Sequence, residues 1–231
     1  MFTRLLNSIH GWVLLMILIL PFISAHAVKV PEGTQLAKKQ HLVRGLGAEV
    51  ASLDPHKIEG STASTVVHDL IEGLTTEDEN GNLIPLIAKR WITKDNKTFV
   101  FYLRKDAKWS NGDRVTAHDF VYSWRRLADP NTASPYAWYL EMTTMYNAAE
   151  IIKGDKKPET LGVKALNDFT LEVKLNDSLP YFPKMLVHTP VKPVHKATIE
   201  KFGSKWTRAE NYVGNGAFTL KKWTVNERIV L

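Results

Sequence analysis

The chain has 231 residues, 44% hydrophobic and 23% charged, with a formal net charge of +6 and no cysteine. Such a length buries a sizeable core without cross-links, and the lack of Cys excludes disulfides, thiol catalysis and thiolate metal sites. The positive charge is mild and interspersed, so it builds no basic face for nucleic acid.

Residues 1–27 read as a secretory signal peptide. Arg4 is the one charged residue there, Trp12 to Ile23 form an apolar stretch broken only by Pro21, and Ala25-His26-Ala27 has the small-x-small cleavage pattern. The apolar run is shorter than the roughly 20 residues that span a bilayer. Cleavage after Ala27 is expected, and no Cys follows that could take a lipid anchor. Losing Arg4 takes Lys+Arg from 30 to 29 against 24 Asp+Glu, so the mature part is expected to carry +5. A free protein of this kind belongs in a periplasm.

Along the mature chain the pattern is mixed α and β without repeats. His41-Leu42-Val43-Arg44 is expected to begin a strand, and Leu53-Asp54-Pro55-His56 to form a turn. Ser61 or Thr62 offers an N-cap for a helix carrying Val66, Val67, Leu70 and Ile71, with Gly73 as its stop. Three Asn-Gly pairs, at 80–81, 111–112 and 215–216, punctuate the strands.

Phe99, Phe101 and Leu103 alternate with Val100 and Tyr102, as in a strand buried on one face. Beyond Asn111-Gly112, Phe120, Val121, Trp124, Leu127 and Ala128 recur at helical spacing. Thr116 and Asp119 read as this helix's capping box, with Asp in place of the usual Glu. Lys153 to Glu159 is a charged loop. Leu171, Val173 and Leu175 mark a strand with one wet face, paired through an Asn167-Asp168 turn with Leu161 to Ala165. Pro193 to Gly203 has the Pro-first, Gly-last asymmetry of a helix, with Val194, Ala197, Ile199 and Phe202 as its apolar positions. The last residues, Asn226 to Leu231, stop inside an apolar strand, from which the chain is expected to be incomplete at its C-terminus.

Strand, aromatic turn and capped helix over residues 95–126 resemble the signature of the extracytoplasmic peptide-binding proteins of ABC importers, solute-binding family 5. The segments SLDPHKIEG (52–60), LRKDAKWS (103–110), DPNTASPYA (129–137) and VNERIVL (225–231) carry the same resemblance. The oligopeptide-binding members match best, and the murein-peptide-binding ones next. The resemblance covers about Gln40 to Leu231. It implies an α/β, periplasmic binding protein type II-like clamshell of which only the first lobe is present, the C-terminal lobe being missing. By analogy residues 28–71 and 196–231 belong to the main domain of that lobe, and 72–195 to an extra domain of mixed α and β.

The implied function is capture of short peptides and their delivery to the membrane subunits of an ABC permease, by a monomer without chemistry or cofactor. Related solutes (murein peptide, dipeptide, a nickel complex, an antimicrobial peptide) stay open, as do a periplasmic chaperone and a non-binding remnant. Three present residues match the family's ligand site. Glu59, by itself a solvated loop carboxylate, matches an acidic residue near the cleft. Ser61, by itself a helix cap, falls where main-chain groups pair with the peptide. Tyr136, by itself a surface-packing ring, matches a cleft tyrosine. The aspartate that anchors the peptide's amino terminus in the family would lie in the missing lobe.

Other chemistry has little footing. The 8 His residues show no metal-ligand spacing, so no metal site is expected. Trp91, Trp109 and Trp124 occupy core-packing positions, and no phosphate loop or nucleophile elbow is present. Ser110 and His118 lack an orienting third group and an oxyanion site.

Overall fold

The computed structural model describes residues 33–231; the signal peptide expected at 1–27 lies outside them. The chain divides into two units, 1–44 and 45–231. Residues 33–44 are exposed throughout and hold no helix or strand. The strand expected at His41 to Arg44 is therefore absent. Leu42 is 83% and Val43 89% exposed, and an extended segment becomes a strand only when a neighbour takes its N–H and C=O groups.

In the second unit, β3 (Ala88–Thr93), β4 (Thr98–Leu103), β5 (Val163–Asn167) and β6 (Thr170–Lys174) form an antiparallel sheet in the order β3-β4-β6-β5. The expected alternation in β4 is present: Phe99, Phe101 and Leu103 are buried, and Phe99 and Phe101 stand opposite Val173 and Leu171 of β6. Phe182 closes this core, its ring centroid 5.1 Å from that of Phe99. The expected 167–168 turn joins β5 to β6, with the Asn167 side chain accepting from the Phe169 N–H at 3.0 Å.

Helix α2 (Ala117–Ala128) packs across β5 and β6 and buries Phe120, Trp124, Leu127 and Ala128. Its start follows the sequence. The Asp119 carboxylate accepts the Thr116 N–H at 2.7 Å and the Thr116 hydroxyl at 3.0 Å, fixing the chain where the helix leaves the 109–115 turn. Among the described residues a short hairpin of β1 (Thr75–Glu77) and β2 (Leu83–Pro85) flanks the same core. So do the short helices α3 (Ala137–Met142), α4 (Ala148–Ile152) and α5 (Phe182–Met185).

A second core is built from α1 (Gly60–Leu70), the turn before it, α6 (Lys196–Phe202) and the hairpin β7 (Lys222–Thr224)–β8 (Arg228–Val230). Its buried members come from residues 50–71 and 194–220, whereas those of the first core run from 74 to 191. Two departures from expectation occur here. Helix α6 begins at Lys196, and Ala197 is exposed while Thr198 is buried, because the His195 ring reaches the Thr198 hydroxyl at 2.6 Å and turns that face inward. Gly73 does not end α1; Ile71 already leaves it in extended conformation.

The third Asn-Gly pair is a close approach rather than a reversed turn. Gly216 has no positive φ, but a Cβ there would lie 2.5 Å from the Asp69 carbonyl oxygen, so only glycine lets this strand of chain pass the end of α1.

Candidate functional site

Helix α1 starts at Gly60, whose φ of +75° suits a residue without Cβ. Glu59 is thereby the N-cap residue, in extended conformation, and the helix start has no side-chain cap. Ser61 lies inside the first turn rather than at the cap. Its carbonyl accepts the Thr65 hydroxyl at 3.0 Å, and Ser64 donates to the Gly60 carbonyl at 3.1 Å. Glu59 and Ser61 are both exposed, while Ala63, Val66, Val67 and Leu70 face the core. The first-turn N–H groups are consequently open to an external acceptor.

Tyr136 immediately precedes α3, half-buried, with its N–H bonded to the Ser134 hydroxyl at 3.2 Å. Its ring lies 5.8 Å from Trp138 and edge-on at 5.3 Å to His188, which also meets Tyr139 at 4.6 Å. The Tyr139 hydroxyl donates to the Met185 carbonyl at 3.0 Å. Burial holds the His188 imidazole below its ordinary pKa, so the ring is neutral at pH 7 and suits a half-wet aromatic setting.

The next residue, Thr189, has its hydroxyl 3.0 Å from Nε2 of His68 in the last turn of α1. Ring burial, followed by the charge of Lys192 and against the pull of Asp69, lowers His68 to about 4. Glu59 and Ser61 therefore share the free end of α1, and the aromatic group around Tyr136 reaches the other end of the same helix, about 10 Å further along its axis. Tyr136 itself contacts neither Glu59 nor Ser61. His188 and His68 were not legible in the sequence, since nothing in the local pattern around either sets it apart.

Two buried polar clusters hold this arrangement. Arg126 of α2 grips Asp54, and a nearby cavity of about 200 Å³ includes Ser52, Lys57, Trp206 and Thr207 in its wall. Lys192, 4% exposed, donates to the Ile71 carbonyl at 2.5 Å where α1 ends. Beside it Glu72 pairs with Arg104 at 3.2 Å, and the Asn215 amide spans the Glu72 N–H and C=O at 3.0 and 3.3 Å.

Neither imidazole-containing constellation is arranged for catalysis. His118 faces Asp168 at 3.5 Å and has no bond to Ser110. Asp113, His195 and Thr198 form a carboxylate–imidazole–hydroxyl row, but the hydroxyl belongs to a residue 5% exposed and the row fastens the start of α6 to the 109–114 turn. Among the described residues no cluster of His, Asp and Glu suits a metal.

The fold is α/β, and the chain belongs to the bacterial extracellular solute-binding proteins, family 5, whose middle-region model matches residues 82–231. Among its relatives, the periplasmic oligopeptide-binding protein OppA of Salmonella typhimurium is 58% identical over 208 residues, covering 90% of this chain and 38% of the relative. The periplasmic murein peptide-binding protein MppA of Escherichia coli is 45% identical over 207 residues, covering 90% and 38%. Haemophilus influenzae OppA, solved in complex with RPPGFSPFR, superposes with a TM-score of 0.82 at 51% identity, over 84% of this chain and 38% of that one. The Escherichia coli MppA structure gives 0.83 at 45% identity, over 85% and 38%. The chain thus spans a little over a third of the length of the relatives it matches.

Proposed function

We propose that this sequence is part of a periplasmic receptor that captures short peptides and hands them to the membrane subunits of an ABC permease. The observation that carries the reading is the superposition on a relative solved with a bound peptide, at 51% identity over 84% of this chain. An open first turn on α1 and a half-buried tyrosine–histidine group suit a ligand recognised through its main chain, with room for varied side chains. In this reading Glu59 meets a basic group of the ligand or of the opposing lobe, Ser61 contributes backbone groups, and the Tyr136 ring lines the cleft.

The domain division is part of the proposal. Residues 28–71 with 196–231 form the main domain of the first lobe and 72–195 its extra domain, in keeping with two cores whose members separate between 71 and 74 and between 191 and 194. The signal peptide directs export and is cleaved after Ala27. Two lobes closing on a hinge then convert binding into a shape that the permease reads.

Calorimetric titration of the full-length protein with a pool of di- to pentapeptides tests the reading. Saturable heat with several unrelated peptides is expected. Absence of heat with every peptide, together with a non-peptide solute found by mass spectrometry in the purified protein, overturns it.

A further inference from the structure

The three Asn-Gly pairs share one local chemistry but have three different surroundings. Asn-Gly is the dipeptide in which a backbone nitrogen most easily reaches the preceding amide, because glycine offers no side chain in the way. The geometry points to Asn80 as a site of spontaneous deamidation in the folded protein, with Asn111 and Asn215 protected by their contacts.

Asn80 sits in the loop between β1 and β2, and both it and Gly81 are exposed. The loop's backbone is anchored by Asp78, whose carboxylate accepts the Asn80 N–H and the Asn82 N–H, each at 2.9 Å. Among the described residues nothing hydrogen-bonds the Asn80 side-chain amide, which is left to rotate. Asn111 is equally exposed, and Gly112, like Gly81, has positive φ. The two glycine N–H groups are engaged alike, Gly81 to the Asp78 carbonyl at 3.0 Å and Gly112 to the Trp109 carbonyl at 2.9 Å. The side chains make the difference. Asn111 Nδ2 donates to Asp113 at 2.7 Å and its Oδ1 accepts the Asp113 N–H at 3.1 Å, so the amide is clamped from both ends. Asn215 is 8% exposed, bridges both main-chain groups of Glu72, and is followed by a glycine pressed against the end of α1.

The reaction needs only water. The Gly81 nitrogen gives up its proton to solvent and forms a bond to the Asn80 side-chain carbonyl carbon. The bond from that carbon to Nδ2 breaks, and the amide nitrogen leaves as ammonia after taking up a proton. Water then opens the five-membered imide at either carbonyl, leaving aspartate or isoaspartate at position 80, with no change of oxidation state. The new carboxylate joins Asp78 and Glu79 in one loop, next to Glu77 at the end of β1. Isoaspartate also lengthens the backbone there by a methylene, which loosens the hairpin while the four-stranded sheet stays intact.

Breaking the two Asn111 clamps, about 1 kcal/mol each, makes that site roughly thirtyfold slower than Asn80. The test is peptide mapping by mass spectrometry, with isoaspartate counted by enzymatic methylation, during incubation of the folded full-length protein at mildly alkaline pH. The expected order is Asn80 first, Asn111 roughly thirtyfold behind, and Asn215 unmodified; a denatured control is expected to convert all three at similar rates. Asp113→Ala removes the carboxylate clamp but keeps the backbone N–H one, so it should bring Asn111 to within roughly fivefold of Asn80, while an unmodified Asn215 reports that the variant is still folded. Conversion of Asn111 as fast as Asn80 in the folded wild-type protein overturns the proposal. So does an Asn80 that stays intact while the denatured control reacts.

Discussion

Arg126 and Asp54 are joined by two hydrogen bonds, 2.6 and 3.0 Å, between side chains only 14% and 5% exposed. Arg126 stands on α2, which packs in the larger core, and Asp54 in the turn that leads to α1 in the smaller one. The Trp206 ring N–H also reaches Asp54, at 3.4 Å. Burial pushes the Asp54 carboxyl up, but the hydrogen bonds and charge of Arg126, with the His56 backbone N–H, outweigh it and hold the group below its ordinary range. Removing either partner strands a buried charge. Asp54→Asn and Arg126→Met are each expected to cost about 3–5 kcal/mol by urea denaturation, with the double variant well short of the sum.

Acid should cost stability at this junction as soon as the unfolded chain begins to take up a proton there, from about pH 6.5 downward. Burial, reinforced by Arg126, lowers His56 to about 3, with Asp54 pulling the other way, and Arg126 lies 2.6 Å from its Nδ1. The folded state keeps this ring neutral, whereas the unfolded chain takes a proton near pH 6.5. Stability is therefore complete above that pH and lost progressively as the pH falls toward 3, by about 3–5 kcal/mol. A His56→Gln variant should show a visibly flatter profile over that window; an unchanged slope would refute the assignment.

Lys192 extends the same trend into mild alkali. Burial lowers its pKa to about 8, against the pull of Glu72 and Asp69, while the unfolded chain holds the proton to near 10.5. Between these values the unfolded state binds more protons, so stability rises with pH, by about 2 kcal/mol from pH 8 to 9.5. Above pH 10 the gain reverses, since burial raises the Tyr212 phenol far beyond its usual range. Lys192→Met should abolish the rise, measured by thermal unfolding at stepped pH.

Gly216→Ala should be severe. The added methyl meets the backbone at the end of α1, 2.5 Å from Asp69 O and Leu70 C and 2.7 Å from Ile71 N, and none of these can rotate away. A loss of about 2–3 kcal/mol is expected. Gly112→Ala, with open space around it but a φ of +94°, should cost about 1–2 kcal/mol from backbone strain alone.

If the receptor reading holds, Tyr136→Ala and Glu59→Gln in the full-length protein weaken peptide binding about tenfold each, near 1.4 kcal/mol, with little change in melting temperature. Residues 28–231 produced alone should bind the same peptides weakly, because one wall shields one side of a ligand. Tight binding by that piece, followed by tryptophan fluorescence, would contradict the cleft geometry.

What the sequence determined by itself was local. The alternation Phe99–Phe101–Leu103, the Thr116–Asp119 cap and the Asn167-Asp168 turn each follow from residues within a few positions of one another, and each stands where the pattern puts it. The start of α1 at Gly60 and the inward face of α6 departed from the pattern. There a positive φ at glycine and the His195–Thr198 bond decide the matter, and neither is a periodic signal. Only the tertiary structure joined Asp54 to Arg126, His68 to Thr189 and Lys192 to the end of α1, across separations of 72, 121 and 121 residues. Such pairs leave no mark on local spacing, because the energy that selects them comes from satisfying buried charge and hydrogen-bonding groups after the cores have closed.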